Sequence, residues 1–162
     1  MNPAISFAFL ITGQMKILDY FIYVIAQNIG AFLAAFIIWV TYLDLINTKP
    51  LIETAGIFST YPNDQGFTAF GGFFDQLIGT SLLVIVILAL CDKNNNELPS
   101  GTVCIVVGFI ITLTGTSFGF NCGGAVNPAR DFSPRVFTAI AGWGSYPFTA
   151  FDYFFWYKIL KN

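Results

Sequence analysis

The triplet Asn-Pro-Ala occurs twice in this chain, as Asn2, Pro3 and Ala4 and as Asn127, Pro128 and Ala129. Asparagine is among the best N-cap residues and proline is favoured at the first helical position, so each triplet predicts the start of a helix. Two helix starts that faced each other would aim their positive dipole ends and two asparagine amide groups at the space between them. Such a place suits a neutral polar molecule and disfavours a cation.

Other side chains that commonly do chemistry are scarce. The chain has no histidine, and its three cysteines, Cys91, Cys104 and Cys122, form no C-x-x-C pair. This pattern indicates neither a zinc site nor a disulfide framework. Without a histidine, a nucleophile–base pair or paired buried carboxylates, the sequence argues against an enzyme and predicts no cofactor or metal. A net charge of −2 with no basic patch argues against nucleic-acid binding.

The composition is that of an integral, multi-pass membrane protein. Hydrophobic residues make up 56% of the chain and charged residues only 10%, against about a quarter charged in soluble domains. Three apolar stretches are long enough to cross a bilayer, which takes about 20 residues, and we place the spans at 18–43, 67–90 and 101–118. Four lysines fall on one side of these spans and Lys49 on the other, so the positive-inside rule predicts that the Asp92–Gly101 loop is cytoplasmic. The four are Lys16, Lys93, Lys158 and Lys161.

Each Asn-Pro-Ala triplet leads a segment too short to span. The first segment covers residues 2–12 and the second covers 127–138, with Pro134 interrupting it. At about 1.5 Å per residue both predict half-helices that enter the membrane from one side. Their free backbone N–H groups require a start that is buried in protein or lines a wet cavity. A last, weaker segment at 146–160 predicts part of a further span.

Several separate segments agree in order and spacing with one known family: NPARDFSPR at 127–135, GFFDQLIGT at 72–80, IFSTYP at 57–62 and FTAIAGWG at 137–144. With them the chain resembles the aquaporin, or major intrinsic protein, family, and especially its glycerol-conducting aquaglyceroporin branch. The resemblance implies six spans and two re-entrant half-helices arranged as inverted repeats. On that pattern residues 1–162 form a single partial channel domain that lacks the first two spans. The expected fold is an all-α membrane protein, an incomplete aquaporin-like bundle with three full spans, a partial one and two half-helices.

The resemblance also implies which residues set selectivity. The family's filter arginine matches Arg130, for which a position near the membrane interface is the structural alternative. Counting back from Asn127 assigns two more filter positions to Gly115 and Gly124. Two glycines there favour a wide pore that passes urea or larger solutes, although glycine at position 124 also fits plain turn geometry.

Two side chains are predicted to support the site, and an acidic residue lies next to one of them. Asp131, which marks the glycerol branch, is expected to pair with Arg135 four residues on or to stabilise the half-helix start. Gln76 is expected to hydrogen-bond backbone near the second half-helix, as a glutamate does in many relatives. Asp75, beside it, is expected at the rim of the membrane rather than deeply buried.

The leading hypothesis for function is a passive channel for water and small uncharged solutes such as glycerol, with urea as a further permeant. The alternative is a non-conducting truncated fragment that only assembles with full-length channels or has no activity. The resemblance further implies a homotetramer within a lipid bilayer, and we expect the plasma membrane to be its location.

Overall fold

The computed structural model describes residues 2–63, 68–95 and 98–153, and every regular element in these ranges is a helix. The elements in chain order are α1 (Pro3–Ile11), α2 (Ile17–Thr41), α3 (Leu43–Thr48), α4 (Leu51–Thr54), a 3-10 turn (Ala55–Ile57), α5 (Ala69–Cys91), α6 (Ser100–Cys122), α7 (Pro128–Thr138), a π-type turn (Ala139–Trp143) and α8 (Tyr146–Tyr153). The all-α fold expected from the sequence is confirmed.

Three of the described helices, α2, α5 and α6, are long and apolar enough to cross a membrane. Their outer faces leave large apolar side chains exposed, as at Ile25, Ile29, Leu33 and Ile37 along one stripe of α2. Residues four apart share a helix face, so this stripe presents a continuous apolar surface. An exposed surface of this kind is stable against lipid and unfavourable in water.

The two short helices α1 and α7 are the predicted half-helices, and they lie between the long ones. Helix α7 packs along α2, whereas α1 packs against α2 and α5 and also touches α7. Helices α5 and α6 pack against each other. The bundle therefore holds both half-helix starts in its interior.

Two apolar clusters fix this arrangement. One is centred on Phe137 of α7, whose ring lies 5.4 Å from Phe32 and 6.3 Å from Trp39 of α2. The other places Val126, just before α7, against Leu83 and Ile87 of α5. The clusters attach α7 to one long helix and its preceding loop to another, so that they position the start of α7 from both sides.

Two details of the predicted elements were wrong. Helix α6 continues past residue 118 to Cys122, because no proline occurs there and the chain first leaves the helix at Gly123, which adopts a left-handed conformation (φ 74°) and caps it. Helix α7 runs through Pro134 without interruption. The segment between the first two long helices contains the short helices α3 and α4.

The final predicted segment, 146–160, is described only as far as Tyr153, where α8 ends. Residues 154–160 lie outside the described part of the chain, as do Lys158 and Lys161.

Candidate functional site

The start of α1 is built as its sequence predicts. Asn2 is extended (φ −158°, ψ 117°), its side-chain oxygen accepts a hydrogen bond from the Ala4 amide at 2.9 Å, and Pro3 occupies the first helical position. Asn2 is only 6% exposed. The cap satisfies one of the backbone N–H groups that a buried helix start leaves without partners.

The start of α7 repeats this geometry. Asn127 is extended (φ −149°, ψ 102°), its side-chain oxygen accepts from the Arg130 amide at 3.3 Å, and Pro128 begins the helix. The two flanking alanines, Ala125 and Ala129, are buried. In each Asn-Pro-Ala triplet, an extended asparagine therefore precedes a short helix.

The two helix starts are joined through one residue. The Asn2 side-chain amide donates to the backbone carbonyl of Val126 at 2.8 Å, across 124 positions of sequence. Val126 directly precedes Asn127 and has a positive φ of 26°, which is unusual for a β-branched residue. The positive dipole ends of α1 and α7 thus meet inside the bundle.

Arg130 lies beside this meeting point and borders a cavity of about 400 Å³ between α2 and α7. Asn127 lines the same cavity, and the opposite wall includes the small residues Gly30 and Ala34 of α2. Gln27 also lines it, and the buried Gln27 Oε1 atom has no hydrogen-bond partner among the described residues. The cavity is therefore lined by a guanidinium residue and two amide residues among apolar walls.

The two glycines predicted to widen a filter lie together but do not line this cavity. Gly124 has a left-handed conformation (φ 61°), and a Cβ atom there would lie 3.3 Å from the Gly115 carbonyl oxygen. A Cβ on Gly115 would meet nothing within 4 Å. Of the two positions, only Gly115 has room for a side chain, whereas glycine at 124 is required by the backbone.

Asp131 forms the predicted pair with Arg135. The Arg135 Nε atom lies 2.8 Å from Asp131 Oδ2, and the two residues are 5% and 1% exposed. Asp131 Oδ1 also accepts from the amide and the hydroxyl of Thr60, at 2.9 and 2.5 Å. Arg135 donates to the carbonyls of Thr60 and Pro147. The pair thus connects α7 to the segment after the 3-10 turn and to α8.

Tyr61 completes this network from the connecting segment. The Arg135 guanidinium lies 4.6 Å from the centroid of the Tyr61 ring, a cation–π distance. The hydroxyl of Tyr61 has no hydrogen-bond partner within the described ranges. Burial raises the pKa of Tyr61 to about 12, and the nearby Arg135 opposes this rise only partly.

Gln76 makes the predicted contact with backbone: its Oε1 atom accepts from the Val126 amide at 2.9 Å. Asp75 is buried, contrary to expectation, with only 7% of the residue exposed; its place at the membrane rim stays a prediction. Its carboxylate accepts from Asn121 Nδ2 at 2.7 Å and from Gln76 Nε2 at 3.1 Å. These two amide donors make burial of the carboxylate tolerable.

Sequence reasoning missed a second set of polar contacts, made by amides of α2. Gln27 Nε2 donates to the Ser6 hydroxyl of α1 at 3.0 Å, and the Ser133 hydroxyl of α7 donates to Asn28 Oδ1 at 2.7 Å. The signal for both was available, since two adjacent amide residues interrupt an otherwise apolar span. They attach both half-helices to the same long helix.

No cluster of three or more His, Cys, Asp or Glu side chains that could hold a metal ion occurs in the described part of the chain. The arrangement offers binding and orientation of polar groups through hydrogen bonds and helix dipoles.

Comparison with known proteins matches the chain to the family model described as major intrinsic protein, over residues 1–159. Similar curated proteins include human aquaporin-10, 38% identical over 99% of this chain and 56% of the relative. Mouse aquaporin-9 is 40% identical over 99% of this chain and 57% of the relative. Aquaporin-2 of the tardigrade Milnesium tardigradum is 40% identical over 94% of this chain and 50% of the relative. The chain spans about half the length of these relatives.

Among solved structures, the X-ray structure of the aquaglyceroporin from Plasmodium falciparum is similar to this chain with a TM-score of 0.86 and 31% sequence identity. The match covers 96% of this chain and 63% of that one. This chain therefore shares its fold with that aquaglyceroporin over the matched part.

Proposed function

The chain belongs to the major intrinsic protein family and is an integral, multi-pass membrane protein, and we propose that it acts as a passive channel for water and small uncharged solutes such as glycerol. The observation that carries the proposal is the junction of the two half-helix starts through Asn2 and Val126. The backbone N–H groups of two helix N-termini that are buried inside a membrane bundle need polar groups nearby as hydrogen-bond partners. A single file of water or polyol molecules supplies such partners.

The selectivity we propose follows from charge and hydrogen bonding. The positive ends of α1 and α7 and the guanidinium of Arg130 oppose the entry of cations and protons. A neutral hydroxyl both donates and accepts hydrogen bonds, so it can accept from the Arg130 guanidinium in this cavity and donate to a neighbouring water or solute molecule. Solutes that are uncharged and hydroxylated are therefore favoured.

The solute range we propose includes urea as well as glycerol. Gly115 borders open space, and neither it nor Gly124 contributes a side chain that could close the pore. Pore diameter is one of the determinants of solute choice in such channels, so the absence of a side chain at both positions favours wider solutes. Roles for Gly115 and Gly124 in a filter remain part of this proposal.

We further propose, from the family resemblance, that the protein assembles as a homotetramer. From the distribution of its lysines we propose that the Asp92–Gly101 loop is cytoplasmic, and we propose the plasma membrane as its location. Transport of this kind needs no bound cofactor and no catalysed step. The competing hypothesis, a non-conducting chain, predicts the opposite result in the same flux experiment.

The experiment is solute uptake by proteoliposomes, followed by light scattering in inward gradients of glycerol or urea. Vesicles with the protein should swell faster than empty vesicles in both solutes. Arg130→Ala should keep solute flux and raise proton leak, whereas Arg130→Lys, which keeps the charge, should leak less than the alanine variant. Rejection of urea alongside uptake of glycerol would contradict the wide filter, and uptake of neither would contradict the channel.

A further inference from the structure

Asp75 is a buried carboxylate to which the channel hypothesis assigns no task. It lies on α5, faces the last turn of α6, and is bonded to two side-chain amides, those of Asn121 and Gln76. Burying a carboxylate is unfavourable unless its oxygens receive hydrogen bonds. Both oxygens do so here, which makes Asp75 a double acceptor held at a fixed place.

The partner on one side, Gln76, must be oriented in one way. The Val126 backbone N–H is a donor, so the end of the Gln76 amide that faces it has to be the oxygen. Rotation of the amide by half a turn would set two donors against each other. Gln76 also borders a cavity of about 190 Å³, shared with Thr80, so packing alone leaves the amide room to rotate. Because Asp75 can only accept, it holds the NH₂ end and thereby fixes the oxygen on Val126.

The residue that Gln76 holds is the one that joins the half-helices. Val126 has a positive φ, which its branched side chain disfavours, and such a conformation persists only where its surroundings impose it. Its amide is held by Gln76 and its carbonyl accepts from the Asn2 side chain. Gly79 permits this approach, since a Cβ there would lie 3.3 Å from the Val126 side chain.

We propose that Asp75 is a positioning residue, which acts through Gln76 and Val126 to set the Asn2 amide at the junction of the two half-helices. Any effect on permeation rests on the proposed channel function, but the positioning itself does not. A glutamate at position 76 could accept from Val126 with either oxygen and would need no orienting neighbour. The combination of an amide at 76 with a carboxylate at 75 is what makes Asp75 necessary.

The test is hydrogen exchange at the Val126 amide, measured by NMR or by mass spectrometry of the full chain in lipid bicelles. Loss of a hydrogen bond to a charged group corresponds to about a tenfold change in an equilibrium constant or more, so Asp75→Ala should raise the exchange rate about tenfold. Adding Gln76→Glu to that variant should restore most of the protection. Asp92→Ala removes a carboxylate from the exposed loop after α5 and should leave Val126 exchange unchanged.

The rescue separates positioning from general stability, because a merely structural loss at Asp75 would not be repaired by a new carboxylate at position 76. Unchanged Val126 exchange in Asp75→Ala, or equal exchange in Asp75→Ala with and without Gln76→Glu, would overturn the proposal.

If Asp75→Ala does not fold, the carboxylate can be moved instead of removed, in the double variant Asp75→Asn with Gln76→Glu. In that variant the amide at position 75 can accept from Asn121 and donate to the carboxylate at position 76, which accepts from the Val126 amide. Val126 should then be protected as in the parent chain, and faster exchange would overturn the proposal. Exchange is read without solute flux, so a chain that conducts nothing still tests the role of Asp75.

Discussion

Removing either member of the buried pair Asp131 and Arg135 should destabilise the protein strongly. Asp131→Ala leaves a guanidinium that is 5% exposed without its anion, and breaking a buried pair in this way costs about 3–5 kcal/mol of unfolding free energy. Arg135→Met leaves the carboxylate in the same position and should cost a similar amount. The sum of the two single effects is therefore about 6–10 kcal/mol.

The double variant, Asp131→Leu with Arg135→Met, should cost much less than that sum. Replacing a buried pair by apolar residues of similar volume is close to neutral. The hydrogen bonds to Thr60 and Pro147 that the double variant loses are lost in the single variants as well, so they cancel in a double-mutant cycle. The coupling that remains is the penalty for an unpaired buried charge, about 3 kcal/mol or more.

The assay is reversible unfolding in mixed micelles with increasing denaturing detergent, followed by tryptophan fluorescence. Trp143 is a suitable probe because it is buried, donates to the Leu51 carbonyl at 2.6 Å and packs 5.4 Å from Phe58. A double variant that is destabilised by the full sum of the single variants would refute the reasoning. Equal and small effects of all three variants would mean that the pair is solvated rather than buried.

Three further substitutions test local features. Tyr61→Phe removes a buried hydroxyl without a partner among the described residues and should leave stability unchanged or raise it by about 1 kcal/mol at neutral pH. The pKa of Tyr61 is raised from 10.0 to about 12, so the folded protein binds this proton more tightly than the unfolded chain does. The free energy of unfolding of the parent should therefore fall as the pH rises between these two values, and that of Tyr61→Phe should not. Equal pH profiles of the unfolding free energy in the two proteins would contradict this. Gly124→Ala should lower the free energy of unfolding by about 1–2 kcal/mol, because the backbone at this position is left-handed. Gly115→Ala should not destabilise the protein. Equal unfolding midpoints of the two variants would contradict the conclusion that only position 124 requires glycine.

Local chemistry explains why the half-helices could be predicted from sequence. An asparagine cap followed by proline specifies a helix start within three residues, and the structure builds Asn2 and Asn127 in that way. The long spans were predictable for a similar reason, because an uninterrupted apolar stretch of sufficient length is enough to predict a span. The i, i+4 spacing of Asp131 and Arg135 also lies within one helix.

Features that depend on distant partners could not be read from the sequence. Asp75 was expected at the rim, but Asn121, 46 positions later, makes its burial tolerable. The partner of Asp131 in the connecting segment, Thr60, lies 71 positions away. No periodic pattern encodes either contact. The positive φ of Val126 is likewise imposed by its surroundings and not by its residue type.

The central claim, that small uncharged solutes pass between the two half-helix starts, is tested most directly by glycerol flux in Asn127→Asp. This substitution keeps the side-chain oxygen that accepts from the Arg130 amide, so α7 remains capped, but it replaces the amide donor with an anion. In matched proteoliposomes the parent chain should take up glycerol faster than empty vesicles, and Asn127→Asp should lose most of that flux and leak cations. No glycerol flux in the parent chain, or equal flux in both without a cation leak, would contradict the account.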